Sequence, residues 1–216
     1  MKVFYFTNRG DYRDKNEDAV LLDEKVIQED MEVPEKAICS KIIAVADGVG
    51  GAAAGEIASK SVLETLTDFE NSDIETAVFM AKEKLKKLAE KDPSLNGMAT
   101  TVAGIKIKNN KATVFNCGDS RVYKKVGNHL RILSFDHSKD GILYSAVGIN
   151  VYPEIFTRQT DGGVFLIATD GFYEVFEEQE LEEIFEESIE KTVSNIKQKL
   201  KTKKLYDNVS FIIAEV

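Results

Sequence analysis

Twice in this chain a short, wholly apolar run ends abruptly in aspartate and glycine. Ile42-Ile43-Ala44-Val45-Ala46 leads into Asp47-Gly48, and the run from Gly163 to Ala168 leads into Thr169-Asp170-Gly171. Runs of this length closed by a glycine turn read as buried strands that deliver their last residue to a turn. Each therefore holds a carboxylate at the rim of a rigid core, where function is commonly carried.

Two more acids have related settings. Asp119 follows Gly118 after the strand-like run from Ala112 to Asn116, and Asp207 stands immediately before a final strand beginning at Asn208. Arg13 and the cluster Asn16-Glu17-Asp18 precede another strand, Ala19 to Leu22. Carboxylates brought together repel one another unless cations compensate, and hard divalent ions such as Mg²⁺ or Mn²⁺ suit an oxygen-only donor set. Iron would recruit histidine, and a thiolate site cysteine. Taken singly, each acid is also explained by aspartate's habit of capping turns, and Arg13 by a surface ion pair. Only their agreement favours the metal.

The rest of the sequence supplies layers for such a site. Val3 to Thr7 reads as a strand, and the charged stretch from Asp23 to Lys36 as an exposed hairpin or loop. Ala54 to Leu66 permits a helix. A clearer one carries Ile74, Ala77, Val78, Ala81, Leu85 and Leu88 at helical spacing, with Ser72 or Asp73 as cap and Asp92-Pro93 as stop. Thr100 to Ile107, Lys111 to Asn116 and Arg121 to Val126, separated by Asn109-Asn110 and Gly118-Asp119-Ser120, read as an antiparallel meander. Leu130 to Leu133 is a further short strand, and Asp136 to Gly148 has no sustained pattern and is expected to cross the surface near a site. Leu181, Ile184, Phe185 and Ile189 suggest one helix and Val193, Ile196 and Leu200 another, before Asn208 to Ala214 returns as a strand. Short connections between many strands favour an α+β fold, antiparallel sheets flanked by helices, over alternating βαβ units. Without a Pro-, Gly- or Ser-rich linker, 216 residues are expected to form a single domain over 1–216.

Composition excludes several functions. Acidic residues exceed basic ones by 37 to 28, for a net charge of -9, so nucleic acid is not an expected partner. Met1 to Phe6 reaches Asn8-Arg9 too soon for a signal-peptide core, and no run of about 18 apolar residues suits a membrane. A cytoplasmic protein is expected. Cys39 and Cys117 lack the spacing of a zinc or redox site and read as buried, reduced thiols.

Other motifs compete weakly. Gly48-Val49-Gly50-Gly51-Ala52-Ala53 imitates a dinucleotide fingerprint, but the nearest acids, Asp68 and Glu70, follow a helix and not a second strand. Nucleotide binding remains a minor alternative. No phosphate-binding P-loop or nucleophile-elbow pattern occurs, and neither His129 nor His137 has a context that marks it as a base.

In their order, Arg13-Asp14-Lys15-Asn16-Glu17-Asp18, Asp47-Gly48-Val49-Gly50-Gly51 with Gly55-Glu56, Ala99-Thr100-Thr101, Gly118-Asp119-Ser120-Arg121, Thr169-Asp170-Gly171 and Asp207-Asn208-Val209-Ser210 span nearly the whole chain. Together they resemble the signatures of the metal-dependent protein phosphatase family known as PPM or PP2C, especially its compact bacterial branch. The resemblance implies a sandwich of two antiparallel β-sheets flanked by helices, with two Mn²⁺ or Mg²⁺ ions in a cleft at one end. It implies that Asp47 bridges the ions, that Gly48 offers its carbonyl, and that Asp170 and Asp207 are direct ligands. Glu17 and Asp18 would act through coordinated waters, Asp119 with Asp170 would serve a weaker third metal position, and Arg13 would hold the substrate phosphate. The implied reaction is attack of a metal-activated water on phosphoserine or phosphothreonine in proteins that a serine/threonine kinase has modified, carried out by a monomer.

The sequence departs from the family in two places. Ala52 stands where many bacterial relatives carry histidine, and Val49 where the eukaryotic branch often does. Asp136-His137-Ser138 is followed almost directly by Tyr144-Ser145-Ala146-Val147-Gly148, a shortened flap that puts the third metal and the substrate contacts in question. The alternative function is a regulatory phosphoprotein-binding module with weak or no turnover.

Overall fold

The unbroken apolar runs fold as strands covered on both faces, and the segments of helical period cover them. The computed structural model describes residues 1–49, 54–68, 72–108, 111–149 and 151–216. In chain order come β1 (Lys2–Asn8), β2 (Ala19–Leu22), β3 (Lys25–Ile27), β4 (Glu35–Ile38) and β5 (Ile42–Ala46), then helices α1 (Gly55–Asp68) and α2 (Ile74–Lys91). After these lie β6 (Val102–Lys108), β7 (Lys111–Cys117), β8 (Arg121–Val126), β9 (His129–Ile132), β10 (Ser138–Lys139), β11 (Ile142–Leu143), β12 (Phe156–Asp161) and β13 (Val164–Ala168). Helices α3 (Asp170–Tyr173), α4 (Glu178–Ile184) and α5 (Ile189–Leu200) precede β14 (Val209–Glu215).

Among the described residues the longer strands form two six-stranded sheets, ordered β4-β1-β14-β13-β8-β9 and β12-β7-β6-β5-β2-β3. Neighbours in both are antiparallel. This is the α+β sandwich that the sequence led us to expect. Alternation along each strand divides the core. Ile43 and Val45 of β5 meet Val3, Ile105, Val114, Phe165, Ile167 and Ile212 between the sheets. Ile42, Ala44 and Ala46 pack instead with Ala58, Val62 and Leu63 of α1 and Ala77 and Val78 of α2. On the opposite side Leu166, Ala168, Phe211 and Ile213 pack with Phe172, Leu181, Val193 and Ile196 of the carboxyl-terminal helices. Central strands therefore have no solvent face, which is why their sequences are continuous and not alternating.

Local signals explain the helix ends. The Asp73 carboxylate accepts the Thr76 amide at 2.6 Å and caps α2, which stops at Asp92 before Pro93. Cys39 and Cys117 are buried free thiols, and burial pushes them up to about 11 and about 12.

Four expectations need correction. β8 does not continue a meander with β6 and β7, because Gly118, at φ 109°, turns the chain across to the other sheet, where β8 lies between β13 and β9. β12 is a strand where none was expected; it is a polar edge paired with β7. Ile189 does not extend the helix that holds Leu181, because α4 ends at Ile184 and Ile189 opens α5. The patternless stretch after Asp136 contains the β10–β11 hairpin, whose turn residues Asp140 and Gly141 have φ of 52° and 76°, as a two-residue type I′ turn requires. The Asn109-Asn110 turn and the Gly50 to Ala53 segment lie outside the described residues, as does Glu70.

Gly104 of β6 tests this packing. A Cβ there would meet the Ile43 carbonyl and stand 2.6 Å from Phe115 Cζ. Gly104→Ala should lower stability by ~1–3 kcal/mol through overpacking, read as a lower urea midpoint at unchanged denaturant slope. A wild-type midpoint would show that β5 and Phe115, on the helix-covered face of this sheet, yield without cost.

Candidate active site

The apolar strands deliver their acids to one end of the sandwich, and backbone hydrogen bonds fix each acid there. Asp47, directly after β5, donates its amide to Thr101 Oγ1 at 3.1 Å, and its carbonyl accepts the Thr101 amide at 2.8 Å and the Thr100 hydroxyl at 2.7 Å. The adjacent Thr101 and Ser120 hydroxyls are 2.6 Å apart. Gly48 donates its amide to the Glu17 carbonyl at 3.1 Å. A Cβ on Gly48 would stand 2.5 Å from the Gly55 carbonyl carbon, so only glycine lets the strand end pass the start of α1 so closely.

Asp170 opens α3 and accepts the Gly171 amide on Oδ1 at 2.6 Å. A Cβ on Gly171 would collide with the Asn208 carbonyl, so the ends of β13 and β14 are in backbone contact. Asp207, just before β14, accepts the Asn208 amide on Oδ1 at 2.8 Å and the Arg13 guanidinium on Oδ2 at 2.7 Å. Asn208 then ties down the loop that carries Arg13 and Glu17. Its Oδ1 accepts the Glu17 amide at 2.9 Å, and its Nδ2 donates to the carbonyls of Arg9 at 3.0 Å and Lys15 at 2.9 Å. Sequence reasoning gave Asn208 no role; the available signal was an Asp-Asn pair opening a buried strand.

Asp18 is fully buried, in contrast to the polar look of its neighbours. Thr169 donates its hydroxyl to Asp18 Oδ2 at 2.9 Å, while Oδ1 has no hydrogen-bond partner among the described residues. Asp119 lies on the crossing between the sheets. Its turn is held by the Gly118 amide donating to His137 Nδ1 at 3.1 Å and by the Tyr173 hydroxyl donating to the Asp119 carbonyl at 3.1 Å. The β10–β11 hairpin brings Gly141, Ile142 and Leu143 to the same cleft.

Glu17, Asp47, Gly48, Asp119, Asp170 and Asp207 line one cleft of about 350 Å³ with Arg13. Asp18 is not among the lining residues; it lies behind them. A larger cavity of about 680 Å³, where Lys41 and Lys106 meet Asp73 and Glu75, gathers no comparable group of acids. Burial, then the charges of Asp18 and Asp170, holds Asp47 well above the ordinary carboxylate range. Burial pushes Asp18 up to about 7, and burial with the charge of Asp170 pushes Asp119 up to about 6. Glu17 is raised by burial and by Glu56.

Such acids require protons or cations to offset their charge. An oxygen-only donor set and the unpartnered Asp18 Oδ1 fit a hard divalent cation. No group of three acidic, histidine or cysteine side chains among the described residues already encloses one point. Local partners account for this: Asp207 is turned to Arg13 and Asp170 to the Gly171 amide.

Residues 28–208 match the family model described as protein phosphatase 2C. The chain belongs to that family. Within its compact bacterial branch, the serine/threonine phosphatase stp of Listeria welshimeri is 28% identical over 221 residues, covering 85% of this chain and 82% of that protein. Serine/threonine phosphatase Stp1 from Staphylococcus aureus superposes with a TM-score of 0.79 at 23% identity, over 99% of this chain and 94% of that one. The catalytic domain of the phosphatase PstP, solved with two manganese ions, superposes with a TM-score of 0.78 at 23% identity, over 100% of this chain and 99% of that one. At these identities the two structures show the shared fold. As a protein phosphatase 2C, the chain is an enzyme, a metal-dependent protein serine/threonine phosphatase.

The raised acids give the phosphatase a signed pH dependence. Their folded values exceed the unfolded ones, so between about pH 5 and 7.5 the folded chain binds more protons and stability falls as pH rises. Exposed acids with lowered values, such as Glu83 and Glu190, titrate below that window. Chelator-treated protein should therefore melt at a lower temperature at the upper pH, and Asp18→Asn should flatten the trend. A melting temperature that climbs across the window contradicts this assignment.

Proposed function

We propose that this phosphatase hydrolyses phosphoserine and phosphothreonine in proteins through water activated at the acidic cleft, and that one domain over 1–216 carries the whole activity. The reading is supported by one observation above all: five acids from separate segments line a single cleft with Arg13. Asp47, the Gly48 carbonyl, Asp170 and Asp207 would hold the two cations directly, and Glu17 and Asp18 would act through water. Asp119, with Asp170, would serve a weaker third position. Manganese, as bound by PstP, or magnesium suits this donor set. Held there, such cations would supply a water of lowered pKa and offset charge on the phosphoryl oxygens.

The remaining work falls to the chain's own groups. Thr100 and Thr101 fix the Asp47 backbone and leave its carboxylate directed by the strand end. Arg13 gives one Nη2 bond to Asp207, which leaves the rest of its donor fork for phosphate oxygens beside that acid. The buried Asp18, hydrogen-bonded by Thr169, adds negative charge behind the lining carboxylates and strengthens their demand for cations. Among the described residues no helix is long and apolar enough to cross a membrane. We assign the enzyme to the cytoplasm, as a monomer opposing a serine/threonine kinase, with phosphorylated proteins as its partners. The alternative of a binding module without turnover gains no support from a cleft that keeps all these acids.

The decisive experiment is hydrolysis of a phosphothreonine peptide with manganese, abolished by chelation and restored by added metal. Asp47→Asn should cut kcat by more than about 100-fold, since even outer partners of metal sites cost 10–100-fold, while circular dichroism stays that of the wild type. Turnover near the wild-type rate in a folded variant would remove Asp47 from the mechanism. Arg13→Ala should raise the phosphopeptide KM by roughly tenfold or more, with Lys rescuing only part. Because the same change frees Asp207, calorimetry should find metal affinity undiminished; weakened metal binding with unchanged KM would reverse the assignment.

A further inference from the structure

Two tyrosines that the proposed chemistry does not use stand next in sequence to two residues that it does. Tyr12 precedes Arg13 and Tyr206 precedes Asp207. Their rings stack across the two loops, with centroids 4.9 Å apart and planes 16° from parallel, yet they remain 58% and 65% exposed. This exposed pair is held where it is by hydrogen bonds between the two loops and not by burial. The Asp11 amide donates to the Leu205 carbonyl at 2.8 Å, and the Leu205 amide donates to Asp11 Oδ2 at 2.9 Å. Gly10, at φ 76°, lies directly against the Asp207 carbonyl. The stack is a rigid feature of the rim, one residue from the Arg13–Asp207 pair on both strands of chain.

Charges around the stack are unevenly matched. Arg9 pairs with Asp30, Arg13 with Asp207 and Lys15 with Glu56, so the cations of the first loop are each engaged. The carboxylates of Asp11 and Asp14, one residue before and two after Tyr12, form no ion pair among the described residues. On the Tyr206 side Lys203 pairs with Glu180, and the segment leading to Tyr206 also carries Lys201 and Lys204. The face of Tyr12 is therefore the better seat for a cation, and arginine, planar and weakly hydrated, stacks on such a face.

Resting on the phosphatase reading above, we propose that Tyr12, braced by Tyr206, forms a subsite at the cleft rim that receives an arginine of the substrate close to its phosphorylated residue. With the phosphate held by Arg13, a peptide leaving the cleft on the side of this loop would run beside Tyr12, the residue before Arg13. Tyr12 thereby sets a preference for basic substrates without touching the reacting atoms.

The test uses phosphothreonine peptides that differ only in carrying arginine or alanine at each position flanking the phosphorylated residue. At one such position wild type should favour arginine in kcat/KM by roughly tenfold. That ratio should fall close to one in Tyr12→Ala and persist in Tyr12→Phe. Tyr12→Leu, which keeps an apolar contact with Tyr206 and removes the aromatic face, should lose the ratio even if the alanine variant folds poorly. A role confined to bracing the loops would lower both peptides alike and leave the ratio intact, which overturns the subsite. Hydrolysis with no arginine preference at any position overturns it as well, leaving the phosphatase reading in place. Failure of folded, manganese-loaded enzyme to hydrolyse any phosphopeptide would instead overturn that reading, and the subsite with it.

Discussion

Mutual repulsion among carboxylates at one end of the sandwich is the force against which the surrounding structure is built. Two unit charges about 4 Å apart interact by ~4 kcal/mol at the effective dielectric typical near a protein surface. Asp47, Asp18 and Asp119 are displaced upward first by burial and then by the charges of neighbouring acids. An isolated loop would relieve such crowding by moving apart. Here Asp47, Asp170 and Asp207 sit at the ends of β5 and β13 and the start of β14, strands whose two faces are both packed, so they have nowhere to retreat.

How the chain holds them is visible in which atoms are engaged. Asp47 is fixed through its own amide and carbonyl. Glycine contacts replace side-chain bulk where backbones must meet, as Gly48 does against Gly55 and Gly171 against Asn208. Hydroxyls then link the parts: Thr169 reaches Asp18, the Ser210 amide reaches Thr169 Oγ1 at 3.1 Å, and Ser210 Oγ lies 2.8 Å from Thr7 Oγ1. These small polar groups satisfy one another in the interior, which spares the carboxylates that line the cleft.

Legibility in the sequence followed the range of the forces involved. β5, β13 and β14 were readable because strands buried on both faces must be apolar throughout, and α2 because its cap, period and stop all agreed. β12 was not, since an edge strand with the sequence FTRQTD carries no apolar run. The sheet to which β8 belongs was hidden for another reason: close spacing favours pairing with β7, and only the positive φ of Gly118 sends the chain across. The Asp140-Gly141 turn was a readable hairpin signal that the lack of flanking apolar alternation obscured. At the cleft, the strand-end acids stood out locally. The depth of Asp18 did not, because it is set by Thr169, 151 residues further along, and the pairing of Arg13 with Asp207 spans 194.

That division between local and distant information also separates stability from chemistry in this molecule. Most of the favourable burial lies in the three apolar clusters, within and outside the two sheets, and none of it requires an acid. The acidic end works against folding when its charges stand uncompensated, as the raised values of Asp47 and Asp18 express. A sandwich with every central strand covered can tolerate that deficit, whereas a single sheet with one wet face has less burial to set against it. The fold is thus suited to a cation-dependent site for a physical reason: its core is strong enough to hold repelling oxygens in place, and the energy stored in their repulsion becomes affinity for the ions that relieve it.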